Sequence, residues 1–327
     1  MKYLINGLLA FLLTLSSVTT VVASTGQDSK IFAWNKAYFY NFYSVFPAAT
    51  GEVWVVGSKG MICALDKGSQ QWLIHESGVS GNLYRVVFTD SENGWISGQN
   101  GLILHTEDGG DSWEKQETGS NEHLFCLSFA DSNTGWVVGA YGTILHTPDG
   151  GKTWKKQGPA VDKIYNSVSF VDSRHGWVVG EFGAILYTMD GGQNWVEQEN
   201  PLGENTLFSV FFTDQKNGWA SGMDGAIITT DDGGDHWRQL DSKSKEHLLS
   251  ITVKGGSQWA VGLKGTFATK QNGFWEDATM KIPTRAWLKQ CAFTDEKNGW
   301  IVGSVGTVLH TADGGNTWGP AYMNAGK

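Results

Sequence analysis

Seven times along the chain a tryptophan-bearing stretch with two spaced glycines recurs: VWVVGSKG from position 53, GWISGQNG from 94, GWVVGAYG from 135, GWVVGEFG from 176, GWASGMDG from 218, QWAVGLKG from 258 and GWIVGSVG from 299. The tryptophans are separated by 41, 41, 41, 42, 40 and 41 residues. A period of that size marks a unit that cannot bury its apolar face alone and must stack on copies of itself. Seven such units fill almost all of residues 24–327, which leaves no room for a second domain.

Within a unit the pattern predicts four short strands. In the second, LYRVVF (83–88) is followed by the turn TDSENG, then WIS, then a reversal at Gly98-Gln99-Asn100-Gly101 into LILHT, then an Asp-Gly-Gly turn into WEKQ. The third strand is apolar at consecutive positions, as expected when both sheet faces are covered. The fourth alternates with polar residues, as an outer strand should. The 43 glycines and 16 tryptophans against only 6 prolines fit many short strands and tight turns. The expected fold is all-β, a seven-bladed β-propeller with four antiparallel strands per blade. Its units run over 38–75, 83–117, 124–158, 164–199, 206–241, 247–277 and 287–321.

The turn before the fourth strand reads HTEDGGDSW, HTPDGGKTW, YTMDGGQNW, TTDDGGDHW and HTADGGNTW in five units. Repetition makes it architecture. Asp108, Asp149, Asp190, Asp232 and Asp313 are expected to accept amide hydrogen bonds, and Trp113, Trp154, Trp195, Trp237 and Trp318 to plug each hairpin into its blade. No unit supplies the alternating oxygen ligands of a calcium loop.

These boxes resemble the Asp-box, or bacterial neuraminidase repeat, shared by many unrelated functions. The fuller unit, seven times behind an apolar leader, resembles the photosystem II stability and assembly factor family. That resemblance implies a non-catalytic propeller working beside a membrane complex, with protein partners and no cofactor. Photosynthetic members are expected to carry clustered arginines, whereas this chain has Arg85, Arg174, Arg238 and Arg285 in or beside four different blades. The departure leaves two readings open, the photosystem client of photosynthetic members and a bacterial, non-photosynthetic relative with another membrane or envelope client.

Residues 1–23 read as a signal peptide, with Val21 and Ala23 before the cleavage point. The mature protein is then expected in the periplasm, in the thylakoid lumen of a photosynthetic organism, or secreted, and at most peripheral to a membrane. The expected state is a monomer. A net charge of −9 disfavours nucleic acid. Cys63, Cys126 and Cys291 have no metal or disulfide spacing and are expected to be buried thiols. His105, His146 and His310 share one column of the third strand, too widely rotated for one ion, and are expected to be hydrogen-bonding edge residues.

Function is sought on the face formed by the turns between strands two and three and by the inter-blade connectors. Tyr141 and Phe182 stand in such turns on neighbouring blades. The longest connector, EDATMKIPTRAW (276–287), contributes Lys281, Arg285 and Trp287, and Lys264 joins them from the sixth turn. The alternative is a carbohydrate-binding or glycosidase-like propeller. Glu181 and Asp224 are the only acids on adjacent turns, and an acid pair is what a hydrolase needs. Unit seven ends at Gly319-Pro320, so the N-terminal KIFAWNK (30–36) is expected to pair with blade seven and latch the ring.

Overall fold

The computed structural model describes residues 31–321 apart from 160, 271 and 272, so the expected signal peptide lies outside the described residues. Seven four-stranded antiparallel sheets are present, and within each the strands follow one another in sequence order. Blade two shows the pattern: Leu83–Phe88 inside, then Gly94–Gly98, Ile103–Thr106 and Glu114–Gln116 at the outer edge. Its second strand is buried throughout, because neighbouring blades cover both faces, while Glu114 and Lys115 are exposed.

One device joins blade to blade. The second-strand tryptophan lies flat on the last inner-strand phenylalanine of the following blade. Ring centroids are 3.9 Å apart for Trp95 and Phe129, 3.5 Å for Trp136 and Phe170, 3.5 Å for Trp177 and Phe212, and 3.7 Å for Trp259 and Phe293. Each of these indole N–H groups also donates to an Asp-box glycine carbonyl of that next blade, Gly150, Gly191, Gly233 and Gly314 respectively. The box must therefore come close to the indole. At Gly110, φ is +94° and a Cβ would stand 2.1 Å from the Trp54 ring.

The two units without a regular box break this device. Blade six has Val253 and blade one has Pro47 where others place the phenylalanine. Trp219 and Trp300, which face them, are only half-buried, whereas Trp95, Trp136, Trp177 and Trp259 are fully buried.

Ring closure differs from the expected strand latch. Ile31 pairs antiparallel with Leu73, and Phe32 N–H donates to the Trp72 carbonyl at 2.8 Å, so this segment lies on the outer strand of blade one, not blade seven. Aromatic packing selects that edge, since Trp34 meets Trp72 edge-on at 5.5 Å. Blade seven is reached a few residues later. After the 3-10 helix Trp34–Phe39, the Tyr40 carbonyl accepts from Gly306 N–H at 2.8 Å. Glu122 does the same for Gly101, and Lys163 for Gly142. The N-terminal segment thus serves blade seven as a connector serves the others.

Candidate functional site

The turns between strands two and three share a face with the connectors, since Gly101 N–H donates to Glu122 C=O at 2.7 Å. Each turn holds two residues with separate duties. The first can fix the turn: Ser58 Oγ accepts from Asn41 N–H, Gln99 Oε1 from Asn82 N–H and Glu181 Oε2 from Ile164 N–H. Glu181 is thereby used structurally, as Gln99 is. Asp224 lies 3.5 Å from the His247 ring.

The second residue is left-handed in all seven blades, at Lys59, Asn100, Tyr141, Phe182, Asp224, Lys264 and Val305, with φ between +52° and +60°. An L-residue there costs roughly 1–2 kcal/mol, least for Asn or Asp. Tyr141 and Phe182 accept that cost and leave their rings 61% and 59% exposed. Neither packing nor the turn calls for an aromatic at these places. The glycine that follows is required: a Cβ on Gly101 would meet the Ser120 carbonyl at 1.7 Å.

The remaining candidates separate. Lys264 is ion-paired with Glu246 at 2.8 Å, and Arg285 is exposed in the connector beside that turn. Trp287 stacks on Tyr43, centroids 5.9 Å apart and planes 10° apart. Lys281 is drawn elsewhere: its ammonium donates to Asn316 Oδ1 in the blade-seven box and lies 3.7 Å from Glu276.

Sequence reasoning missed the side chains that Trp287 joins. The second inner-strand residue of each blade, Tyr43, Tyr84, Phe125, Asn166, Phe208, Leu249 and Lys289, turns into the central channel and is half-buried there. Tyr43 and Tyr84 are 5.6 Å apart, Tyr84 and Phe125 5.3 Å, so Trp287, Tyr43, Tyr84 and Phe125 form an aromatic arc at the channel mouth. A cleft of about 370 Å³ lined by Phe125, Tyr141 and Glu181 carries that arc out toward the exposed turns. The legible signal was large aromatics in a strand column that the pleat points away from the inter-blade core.

The opposite face is uniform. In each box the threonine hydroxyl donates to the aspartate and accepts from the second glycine amide, as Thr106 does with Asp108 at 2.7 Å and Gly110 at 2.8 Å. Asp108 also accepts from the Ser112 amide and hydroxyl. Led by the Ser112 hydroxyl, these bonds pull the Asp108 pKa down to about 2. Among the described residues the histidine column shows ring packing and no side-chain hydrogen bond, in place of the expected hydrogen-bonding edge. His105 stacks on Trp95 at 4.6 Å with its Nε2 buried and unpaired, and His146 and His310 lie against Trp136 and Trp300. Burial lowers all three pKa values. Cys63, Cys126 and Cys291 are free and buried. Among the described residues, no group of three or more His, Cys, Asp or Glu side chains is placed to hold a metal ion.

Comparison with known proteins follows the same outline. The family model described as photosynthesis system II assembly factor YCF48 matches residues 15–107, 68–159, 153–210 and 267–327, well over half of the chain. A photosystem II assembly protein Ycf48 from Thermosynechococcus vestitus is 39% identical over 49 residues, 15% of this chain and 14% of that protein. The match therefore spans far less than two thirds of the relative. A solved structure described as YCF48 bound to D1 peptide superposes with a TM-score of 0.62 at 22% identity, over 75% of this chain and 82% of that one. Virginiamycin B lyase from Staphylococcus aureus superposes with a TM-score of 0.74 at 12% identity, over 85% and 96% of the two chains. At such identities the superpositions establish the fold alone.

Proposed function

The chain belongs to the photosynthesis system II assembly factor YCF48 family, and from that premise we propose that it is a non-catalytic scaffold whose connector face docks a polypeptide of a membrane complex during assembly. The observation that carries this reading is the aromatic surface running from Trp287 through Tyr43, Tyr84 and Phe125 toward Tyr141 and Phe182. Interfaces concentrate their energy in such rings. A relative bound to D1 peptide supports a peptide segment as the class of ligand. The leader-like N-terminus supports export, to the periplasm or a thylakoid lumen, with the scaffold working from the aqueous side. The hydrolase alternative is weakened because Glu181 is committed to a turn.

The test is affinity capture from the organism's own membranes, with identification of what co-purifies. Parent protein should recover subunits of one complex. A Tyr141→Asn, Phe182→Asn double variant, which places at both turns the residue blade two already uses at Asn100, should fold normally and lose about tenfold or more of the recovery. Unchanged recovery by that variant, or retention on polysaccharide with no protein partner, would overturn the reading.

A further inference from the structure

The inner strands enclose a channel divided by one layer of side chains. A cavity of about 420 Å³ opens toward the Asp-box side and one of about 50 Å³ toward the connector face. Neither is lined by an aspartate or glutamate, although the chain has 33 acidic residues and a net charge of −9. Both are lined by Arg85, and Lys289 joins it in the smaller cavity.

Among the described residues neither cation has an ion-pair partner. In the Arg85 column other blades use a neutral acceptor for the next blade's inner strand: Ser44 for Val86 N–H, Ser167 for Val210 N–H, Ser209 for Ile251 N–H and Gln290 for Val45 N–H. Arg85 can accept nothing, and its Nε is buried without a hydrogen bond. Lys289 stands where blades one, two, three and five place Tyr43, Tyr84, Phe125 and Phe208, and no ion pair to it exists among the described residues. Burial holds its ammonium below the usual lysine range, and the Arg85 cation adds to the effect. Keeping two like charges at one cavity without a counter-charge is costly unless the lysine gives up its proton or an anion sits between them, and only the anion leaves both groups charged.

We propose that the connector-face mouth of the channel is a carboxylate site, in which Arg85 and Lys289 hold the carboxylate and the Tyr43, Tyr84 and Phe125 rings pack on the apolar group that bears it. The small cavity has room for a carboxylate, and the rings above it favour an organic acid over inorganic phosphate. The carboxylate comes either from a free small acid or from the docked partner. The site stands independently of the scaffold reading, because a small acid binds here whether or not capture succeeds.

The probe is benzoate, titrated calorimetrically into the leader-free chain, with benzyl alcohol and inorganic phosphate as comparators. Benzoate should bind saturably and about tenfold or more tightly than either. Lys289→Met and Arg85→Gln should each lose about tenfold or more of that affinity. Lys289→Met should melt no lower than the parent, because it replaces an unpaired cation by an apolar chain of similar length, so its loss of binding is not a loss of folding. The proposal is overturned if benzoate shows no saturable binding, if either comparator equals it, or if both variants bind as the parent does. Release of a captured partner by saturating benzoate assigns the carboxylate to the partner, and retention assigns it to a free acid; each result supports the site.

Discussion

At the scale of single residues, protonation gives the first prediction. Asp108, Asp149, Asp190, Asp232 and Asp313 all have depressed pKa values in the folded chain. A depressed carboxyl contributes stability that is full above its unfolded value and is lost as pH falls through the folded one. The box contribution should therefore hold down to about pH 4 and decline below it, the Asp108 part being lost toward pH 2. The stacked histidines act earlier. His105, His146 and His310 are also depressed, so stability should begin to fall below about pH 6.5, where the unfolded chain takes up protons that the folded one refuses. His236, raised by the Asp232 hydrogen bond, works in the opposite direction, one group against three. Melting temperature against pH should show two declines, and His146→Tyr, the residue blade four uses at Tyr187, should shrink the first. A flat profile between pH 7 and pH 4.5 would remove the histidine part of the account. The left-handed turns give a second residue-level expectation. Tyr141→Asn relieves an unfavourable backbone conformation and should raise the melting temperature slightly, whatever it does to binding.

At the scale of elements, stability should track the tryptophan–phenylalanine–box device and not the blade number. Trp136→Ala removes a fully buried indole, its stack on Phe170 and its bond to Gly191, and should cost about 3–5 kcal/mol in urea unfolding. Trp219→Ala should cost clearly less, because that indole is half-buried and faces Val253 in a blade without the box. Equal losses would show that the repeat motif marks ancestry and not energy. Closure is the other element-level case. Deleting residues 24–40 should lower the melting temperature, because Gly306 loses the Tyr40 carbonyl and Trp72 loses the Trp34 ring. The sequence was legible wherever a pattern recurred: blade number, strand order and the box hydrogen bonds could all be read from it. The latch could not, because Trp34 precedes unit one as an outer-strand tryptophan does, though three residues closer to the next repeat tryptophan than Trp72 is, while the contact that selects its edge, Trp72, belongs to a different strand. The left-handed second turn residue was also hidden, since the seven residues there share no chemistry. The channel arc was missed for a third reason: strands read as core-facing carry alternate residues into a channel that exists only once the ring closes.

At the scale of the whole molecule, on the proposed scaffold reading the ring separates upkeep of the fold from recognition by placing them on opposite faces. Five near-identical boxes, each closed by its own hydrogen bonds, leave the Asp-box face with little to distinguish one partner from another. The connector face keeps its glycines and leaves the second residue between them free to vary, so it differs from blade to blade and gathers exposed rings and cations. This division predicts a crossed pair of outcomes. Asp149→Ala should weaken folding by about 1–3 kcal/mol through unpaired turn amides, with the affinity of the folded fraction unchanged. Arg285→Ala, at an exposed connector position, should leave unfolding unchanged and cost about 1–4 kcal/mol of partner binding; Trp287→Ala should match it in binding and lose a little stability with the Tyr43 stack. Lys281 decides between this division and simple proximity. It lies in the same connector as Arg285, yet its ammonium is bonded to the blade-seven box, so Lys281→Ala should behave as a mild stability variant with normal binding. Partner affinity measured on immobilised protein, beside urea unfolding of the same four variants, separates the cases. Binding lost in the Asp149 or Lys281 variants and kept in the Arg285 and Trp287 variants would move recognition to the other face.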